Sequence, residues 1–315
     1  MRSPKLQFAA FLAGLTFCAA CGEGLEPTSR ITKARILGAE YSVQEDPSRT
    51  SARPGETLDV TLLVTQPGAP TLNSWAFLVC EPAPTAFGAP RCAEGEPIAV
   101  FSVDTPVAEP PAFSVRIPED AEGDLLYVGG VCMGGALTPL DDDEASTRVN
   151  PCATVGVGRL VTGAIRVQAQ EDDAFENHAP QIERITLDGE PWSTQVAATD
   201  AETCDPSLRR VSFSGEEVVL IEVFPSAESR EALPMMGTVD VLEELPVAFF
   251  ATERGLVQFY SVIDDRRAHA QSEFDTRDIP VADAERIPAE GRVVRFDFVM
   301  RDDRGGVARE SRALC

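Results

Sequence analysis

The chain reads as all-β: two antiparallel β-sandwich domains behind a short N-terminal leader. Two observations predict this. Short segments such as Thr57-Leu58-Asp59-Val60-Thr61-Leu62-Leu63-Val64 alternate apolar and polar residues at period two, separated by turn signals like Arg53-Pro54-Gly55-Glu56, with no long amphipathic helical pattern between them. Six cysteines outside the leader suit an exported chain held by disulfides.

The leader comes first. Arg2 and Lys5 form a short positive start, and Leu6 through Phe17 is apolar but shorter than the ~20 residues a membrane-spanning helix needs. A basic start, a short apolar core and small residues before a cut site describe a secretory signal peptide. The ending Cys18-Ala19-Ala20-Cys21 resembles a bacterial lipobox, in which the cysteine is lipidated and begins the mature chain. Ala19 and Ala20 fit that pattern, while Cys18 stands where the family usually has Leu. Lipidation at Cys18 would put Phe17 at the cut, so Cys21 is the assigned site. Gly22 follows it rather than the Asp that signals inner-membrane retention in that family, so the resemblance implies an outer-membrane anchor, on either side of the membrane. The expected divisions are a signal peptide over 1–20 and the lipidated Cys21 with its tether over 21–29.

With 315 residues and 43% hydrophobic content, the chain can build two ordinary cores. Its formal net charge is −24, and loss of Arg2 and Lys5 with the leader makes it −26. Such a polyanion repels phosphate backbones, which excludes nucleic acid as a partner. Cys80, Cys92, Cys132, Cys152, Cys204 and Cys315 allow fifteen disulfide connectivities. There is no C-x-x-C pair, and His178 and His269 lie outside any ligand spacing, so disulfides win over a metal site.

The first domain is expected over 30–170, with strands at 30–40, 57–64, 73–81, 97–103, 111–118, 125–132 and 157–168. Seven short strands at this spacing argue for a sandwich of Ig-like type. Residues then carry a resemblance to bacterial Ig-like domains: Pro54-Gly55-Glu56-Thr57 looks like their first interstrand turn, Trp75 like the core tryptophan of the third strand, and Asp120-Ala121-Glu122-Gly123 like the turn before the sixth. The corner tyrosine expected two residues after that glycine is Leu125, with Tyr127 beyond it. The ensemble is also similar to a group of myxobacterial lipoproteins with tandem domains of this kind. In such a sandwich, Cys80 and Cys92 fall at one end and Cys132 and Cys152 at the other. A strand of seven residues is ~23 Å long, whereas bridged cysteines need Cα atoms within ~7 Å. The pairings Cys80–Cys92 and Cys132–Cys152 follow.

An acidic linker is expected over 171–179, containing Glu171, Asp172 and Asp173, and its Asn177-His178-Ala179-Pro180 resembles the junction between cadherin-like repeats, where acidic residues bind calcium. The second sandwich is expected over 180–315, with strands at 181–187, 209–214, 218–224, 238–242, 246–252, 256–263, 292–301 and 306–314, and a long polar excursion over 264–290. Ile31-Thr32-Lys33-Ala34-Arg35-Ile36-Leu37 and Ile182-Glu183-Arg184-Ile185-Thr186-Leu187 begin the two halves similarly. Ig-like topology puts Cys204 and Cys315 at one end, where they would pair.

No catalytic residues stand out. The mature chain lacks G-x-S-x-G, H-E-x-x-H, phosphate-loop and dinucleotide fingerprints, and both histidines fall in loops. The acidic groups Asp141, Asp142 and Asp143, Glu171, Asp172 and Asp173, Asp264-Asp265 and Asp302-Asp303 are candidate calcium ligands. Consecutive acids splay apart and no D-x-[DN]-x-[DN]-G loop is present, which favours solvated loops. The reading is therefore an outer-membrane-anchored envelope lipoprotein, a non-catalytic binding or structural module whose partner is an envelope protein or polysaccharide. Its alternatives are a calcium-dependent adhesion protein and an enzyme of unrecognised type. Ig-like topology also puts the N-terminus at the end of the first domain that carries the 134–151 loop, which would make the Cys204 and Cys315 end of the second domain the outward tip.

Overall fold

The computed structural model describes residues 28–68, 71–84, 90–138, 151–153, 155–168, 176–193, 204, 206, 208–212, 217–233, 241–280 and 286–315. Seven strands build the first half: β1 (Arg35–Val43), β2 (Thr57–Thr65), β3 (Asn73–Cys80), β4 (Ala99–Val107), β5 (Ala112–Arg116), β6 (Leu125–Met133) and β7 (Val157–Ile165). They form two antiparallel sheets, in the orders β1-β2-β5 and β4-β3-β6-β7. Period-two alternation turns Leu58, Val60 and Leu62 of β2 and Phe113 and Val115 of β5 inward, against Trp75, Phe77 and Val79 of β3. Each large apolar side chain buried this way contributes roughly 1.5–3 kcal/mol.

Trp75 is a core residue, with its ring centroid 5.7 Å from that of Phe77 and 6.4 Å from that of Phe113. Tyr127 is also buried, edge-on to Phe77, and its hydroxyl meets that of Tyr41 at 3.4 Å. Burial pushes both phenols up, and each stays neutral. Gly163 of β7 is required beneath that ring, because a Cβ there would come within 2.2 Å of Tyr127.

The second half repeats the plan with β8 (Ile182–Leu187), β9 (Glu190–Pro191), β10 (Val218–Pro225), a small hairpin of β11 (Ala232–Leu233) and β12 (Val241–Leu242), β13 (Leu245–Ala251), β14 (Tyr260–Ile263), β15 (Ala270–Asp275), β16 (Val294–Arg301) and β17 (Val307–Leu314). Its main sheets run β15-β10-β8-β9 and β14-β13-β16-β17. Phe249, Phe274, Phe296, Phe298 and Trp192 fill the space between them. The chain is thus an all-β pair of Ig-like antiparallel sandwiches. In the first half β4 joins the sheet of β3, giving three strands opposite four; in the second β14 joins the sheet of β13, and the two-residue β9 extends the opposite sheet to four.

Several expected elements shift. The polar excursion over 264–290 contains β15, which pairs with β10 along its whole length. Its inward residues are Ala270, Ser272 and Phe274, only one of them large and apolar, so the alternation is muted. The expected strand at 209–214 forms none over its described residues 209–212; Arg209 and Val211 instead exchange backbone hydrogen bonds with Cys315. β14 covers only the last four residues of the expected 256–263, and β12 only two of 238–242, whose residues 238–240 lie outside the described set. β1 begins at Arg35 rather than at 30, because residues 29–31 bind the other sandwich.

Candidate functional site

The cysteines are joined as Cys80–Cys92, Cys132–Cys152 and Cys204–Cys315, with Cα separations of 5.6, 5.1 and 5.5 Å. Cys21, Asp141, Asp142, Asp143, Glu171, Asp172 and Asp173 lie outside the described residues. Of the remaining calcium candidates, Asp264 and Asp302 serve their own turns, and Asp303 is exposed. Asp264 accepts the amides of Arg266 and Arg267, and these bonds hold its carboxyl below the usual range. Asp302 accepts the amides of Arg304 and Gly306 through Oδ1 and the Asn177 amide through Oδ2. Asp265 pairs with Arg230. Among the described residues no group of three or more His, Cys, Asp or Glu is arranged to hold a metal ion. His178 bonds Glu231 at 2.7 Å, and His269 lies 3.2 Å from Glu222 with its ring against Phe224.

What the structure brings together is the outer face of β1 and β2 and the outer face of β16 and β17. Leu37 and Leu63 of the first sandwich pack on Val299 of the second, flanked by Phe250 and Val307. Around this apolar contact the polar groups interlock. Thr65 Oγ1 donates to Asp297 Oδ2 at 2.5 Å, Arg309 donates to the Val64 carbonyl at 3.0 Å, Arg295 to the Gly68 carbonyl at 2.8 Å, and Arg301 to the Leu37 carbonyl. Burial pulls the Arg301 guanidinium below its ordinary value.

Two further seams close the ends. At one, residues 29–31 run beside β13: the Ala251 amide donates to the Ser29 carbonyl and the Ile31 amide to the Ala251 carbonyl, while Arg30 bonds Glu253 at 3.1 Å. At the other, Asn177 donates to Thr50 and Asp302, and Arg304 donates to Glu243 at 2.6 Å, to Glu231, and to the Glu176 carbonyl. Burial raises the Glu243 carboxyl even against the pull of Arg304. Arg49 completes this seam, held by Glu56 at 2.6 Å and Glu176 at 3.1 Å.

These seams fix the relative direction of the sandwiches, and one expectation falls. The start of β1 pairs with the end of β2, at the same end of the first sandwich where β6 runs out toward Cys152. Residues 29–31 sit against Ala251 and Glu253 there, and Glu253 also takes Arg292, next to Gly291. Gly291, at φ +103°, lies so close to the Cys204–Cys315 bridge that a Cβ would come within 2.6 and 2.7 Å of its two sulfurs. The Cys204 and Cys315 end is therefore beside residues 28–31, not at the far tip. The sandwiches lie side by side in opposite directions, because the chain folds back at the seam around Asn177.

Between the sandwiches, beside the Thr65–Asp297 contact, is a recess of about 480 Å³. Glu40 and Thr61, directly paired across β1 and β2, line one wall together with Asn73; Arg295, Asp297 and Arg309 line the other. Asp297 Oδ1 accepts from Arg309 Nη2 at 2.7 Å and from Ser311 at 2.6 Å. Burial raises the Glu40 carboxyl, partly offset by Arg309. Asn73 is 3% exposed, and its Oδ1 has no hydrogen-bond partner among the described residues. None of these residues was singled out by sequence reasoning, because they come from segments more than two hundred positions apart.

No family model matches the chain, and no curated protein matches it. Among solved structures it aligns with the fibronectin(III)-like modules of Clostridium thermocellum CbhA at 10% identity, covering 87% of this chain and 92% of that one, with a TM-score of 0.22. The FN1-FN3 domains of chicken CNTN1 align at 9% identity over 93% of this chain and 69% of that one, with a TM-score of 0.19. At these scores the overlays are too loose to add to the assignment, which rests on strand order and pairing within each half.

Proposed function

We propose that this chain is a lipid-anchored envelope protein of the outer membrane that acts as a non-catalytic binding module, with the recess between its sandwiches as the recognition surface. The observation that carries the binding role is the recess itself, walled by two sandwiches that three polar seams clamp together. A preformed concavity with a few converging polar groups is the usual form of a ligand site. The anchor reading rests on Leu6 to Cys21. With it, the tether would leave the body near Arg30 and Glu253, so the outward end would carry Cys80–Cys92 and the Asp302 turn.

Two experiments test this. Labelled palmitate should appear on the protein and vanish in Cys21→Ala; label that persists in that variant, or never appears, removes the anchor. Crosslinking in the native envelope from a photoreactive residue at Thr61 should capture a partner, whereas a position on the exposed face of β7 such as Thr162 should not. Equal capture from both positions contradicts the recess as the binding surface.

A further inference from the structure

We propose that the surface carrying Val257, Phe259 and Tyr260 rests on the lipid bilayer to which the N-terminus is tethered, with these side chains at headgroup level. This deepens the anchor reading and rests on it. The first argument is place. Residues 29–31 are fixed against Ala251 by backbone hydrogen bonds, and Arg30 bonds Glu253. Ser29 and Arg30 share a small hollow with Arg254, Gly255 and Leu256. Val257 follows directly, its amide donating to the Glu273 carbonyl at 2.9 Å, and β14 starts at Tyr260. Eight residue steps separate Cys21 from Ser29, a reach of about 29 Å at full extension. With a lipid on Cys21, this surface is the part of the body held closest to the bilayer.

The second argument is exposure. Val257, Phe259 and Tyr260 are 51, 56 and 54% exposed. Phe259 and Tyr260 are the two exposed large aromatic residues among the described ones, and they stand together where β14 forms the edge of its sheet. Rings with an apolar body, and in tyrosine a polar tip, suit the boundary between headgroups and acyl chains.

The third argument is charge. Residues 28–35 hold Arg30, Lys33 and Arg35 and no acid, and Lys33 is the one lysine beyond the leader. In 251–260 Arg254 is exposed, whereas the single acid, Glu253, is buried and taken by Arg30 and Arg292. Two adjoining segments thus carry four cations and one acid in a chain of net charge −24. Glu273 and Asp278 border them. Charges more than about 8–10 Å away are screened at physiological salt, so an anionic headgroup meets this basic end rather than the acidic whole. Binding to a lipid surface grows with apolar area buried plus attraction to anionic lipid, and this surface offers both.

The test uses the lipidated chain in vesicles of phosphatidylethanolamine and phosphatidylglycerol, with a nitrobenzoxadiazole fluorophore on Gln258→Cys or, on the exposed face of β7, on Thr162→Cys. Lipid carrying a headgroup nitroxide is the quencher. Emission from position 258 should fall at least about twofold and that from 162 should not change. Phe259→Glu combined with Tyr260→Glu should abolish the quenching at 258, and melting curves check that this variant remains folded. Equal quenching at 258 and 162, or quenching at 258 that survives the double substitution, overturns the inference. A dimer in detergent that the same substitutions dissociate overturns it too, because a second copy would then cover the patch. If palmitate labels the protein while 258 stays unquenched, this surface is wrong and the anchor stands. If palmitate never appears, the anchor falls and this inference with it.

Discussion

Thr65 and Asp297 are separated by 232 positions of chain, yet the Thr65 hydroxyl donates to Asp297 Oδ2 at 2.5 Å, between β2 of one sandwich and β16 of the other. Asp297 is almost fully buried and also gathers Arg309 and Ser311. One carboxylate thus holds the wall of the recess and the joint between the sandwiches.

Asp297→Ala removes that carboxylate and leaves Arg309, Thr65 and Ser311 without their shared acceptor. Breaking a buried, hydrogen-bonded ion pair from one side costs about 3–5 kcal/mol, and Arg309 keeps enough exposure and its Val64 contact to place the loss at about 2–4 kcal/mol. Urea unfolding measures it. A loss below about 0.5 kcal/mol, the size expected of an ordinary surface substitution, would contradict the role given to this residue.

The disulfides should differ in worth by loop length. Cys204–Cys315 closes 111 positions and Cys80–Cys92 only 12. In the chain-entropy model the long loop contributes about 4.7 kcal/mol and the short one about 3 kcal/mol. Replacing each pair by serine and comparing unfolding midpoints checks the order, and an equal or reversed order contradicts it.

Gly291→Ala should destabilise for two separable reasons. Its φ of +103° is strained for any L side chain, and its Cβ would press on both sulfurs of the Cys204–Cys315 bridge. A loss of about 1–3 kcal/mol is expected. It should shrink when both cysteines are already serine, since only the backbone part persists. Equal losses in both backgrounds would remove the contact from the account.

Glu40 gives a pH signature. Burial raises its carboxyl above its ordinary value of 4.5, so the folded state holds its proton to higher pH than the unfolded chain. Stability from this group is therefore fully present below 4.5 and is lost as pH rises through the folded value. Glu40→Gln removes the loss: its melting temperature should exceed that of the parent by about 1–3 °C at pH 7 and match it near pH 4. Glu56 runs the other way. Burial disfavours its charge, but the bonds from Arg49 and the Arg53 amide carry its carboxyl below 4.5, so its contribution is present above 4.5 and lost as pH falls. Melting curves of Glu56→Gln should converge on the parent in acid, and a difference that instead grows in acid would contradict this.

Much of each sandwich was legible because period-two alternation is a direct imprint of a half-buried strand: β2, β6 and β17 begin within one residue of their expected positions. β15 was hidden because small and polar residues, Ala270 and Ser272, face inward. The side-by-side packing was hidden for another reason. Its apolar contacts are single residues on outward faces, Leu63 beside Leu62 and Val299 beside Phe298, and an extra apolar residue in a strand reads as noise. Those breaks in alternation are the trace the interface leaves in sequence. The recess left none, since Glu40, Asn73 and Asp297 are ordinary polar residues until the fold unites them.

The central claim is that the two sandwiches lie side by side, clamped in opposite directions, and solution X-ray scattering tests it most directly. A compact body of roughly 290 residues has a radius of gyration of about 19 Å, whereas two such sandwiches joined end to end, with centres about 40 Å apart, would give about 25 Å. The account predicts the smaller value for residues 22–315, rising toward the larger one in Asp297→Ala combined with Arg304→Ala. A value near 25 Å for the unaltered chain would contradict the seams and the recess between them.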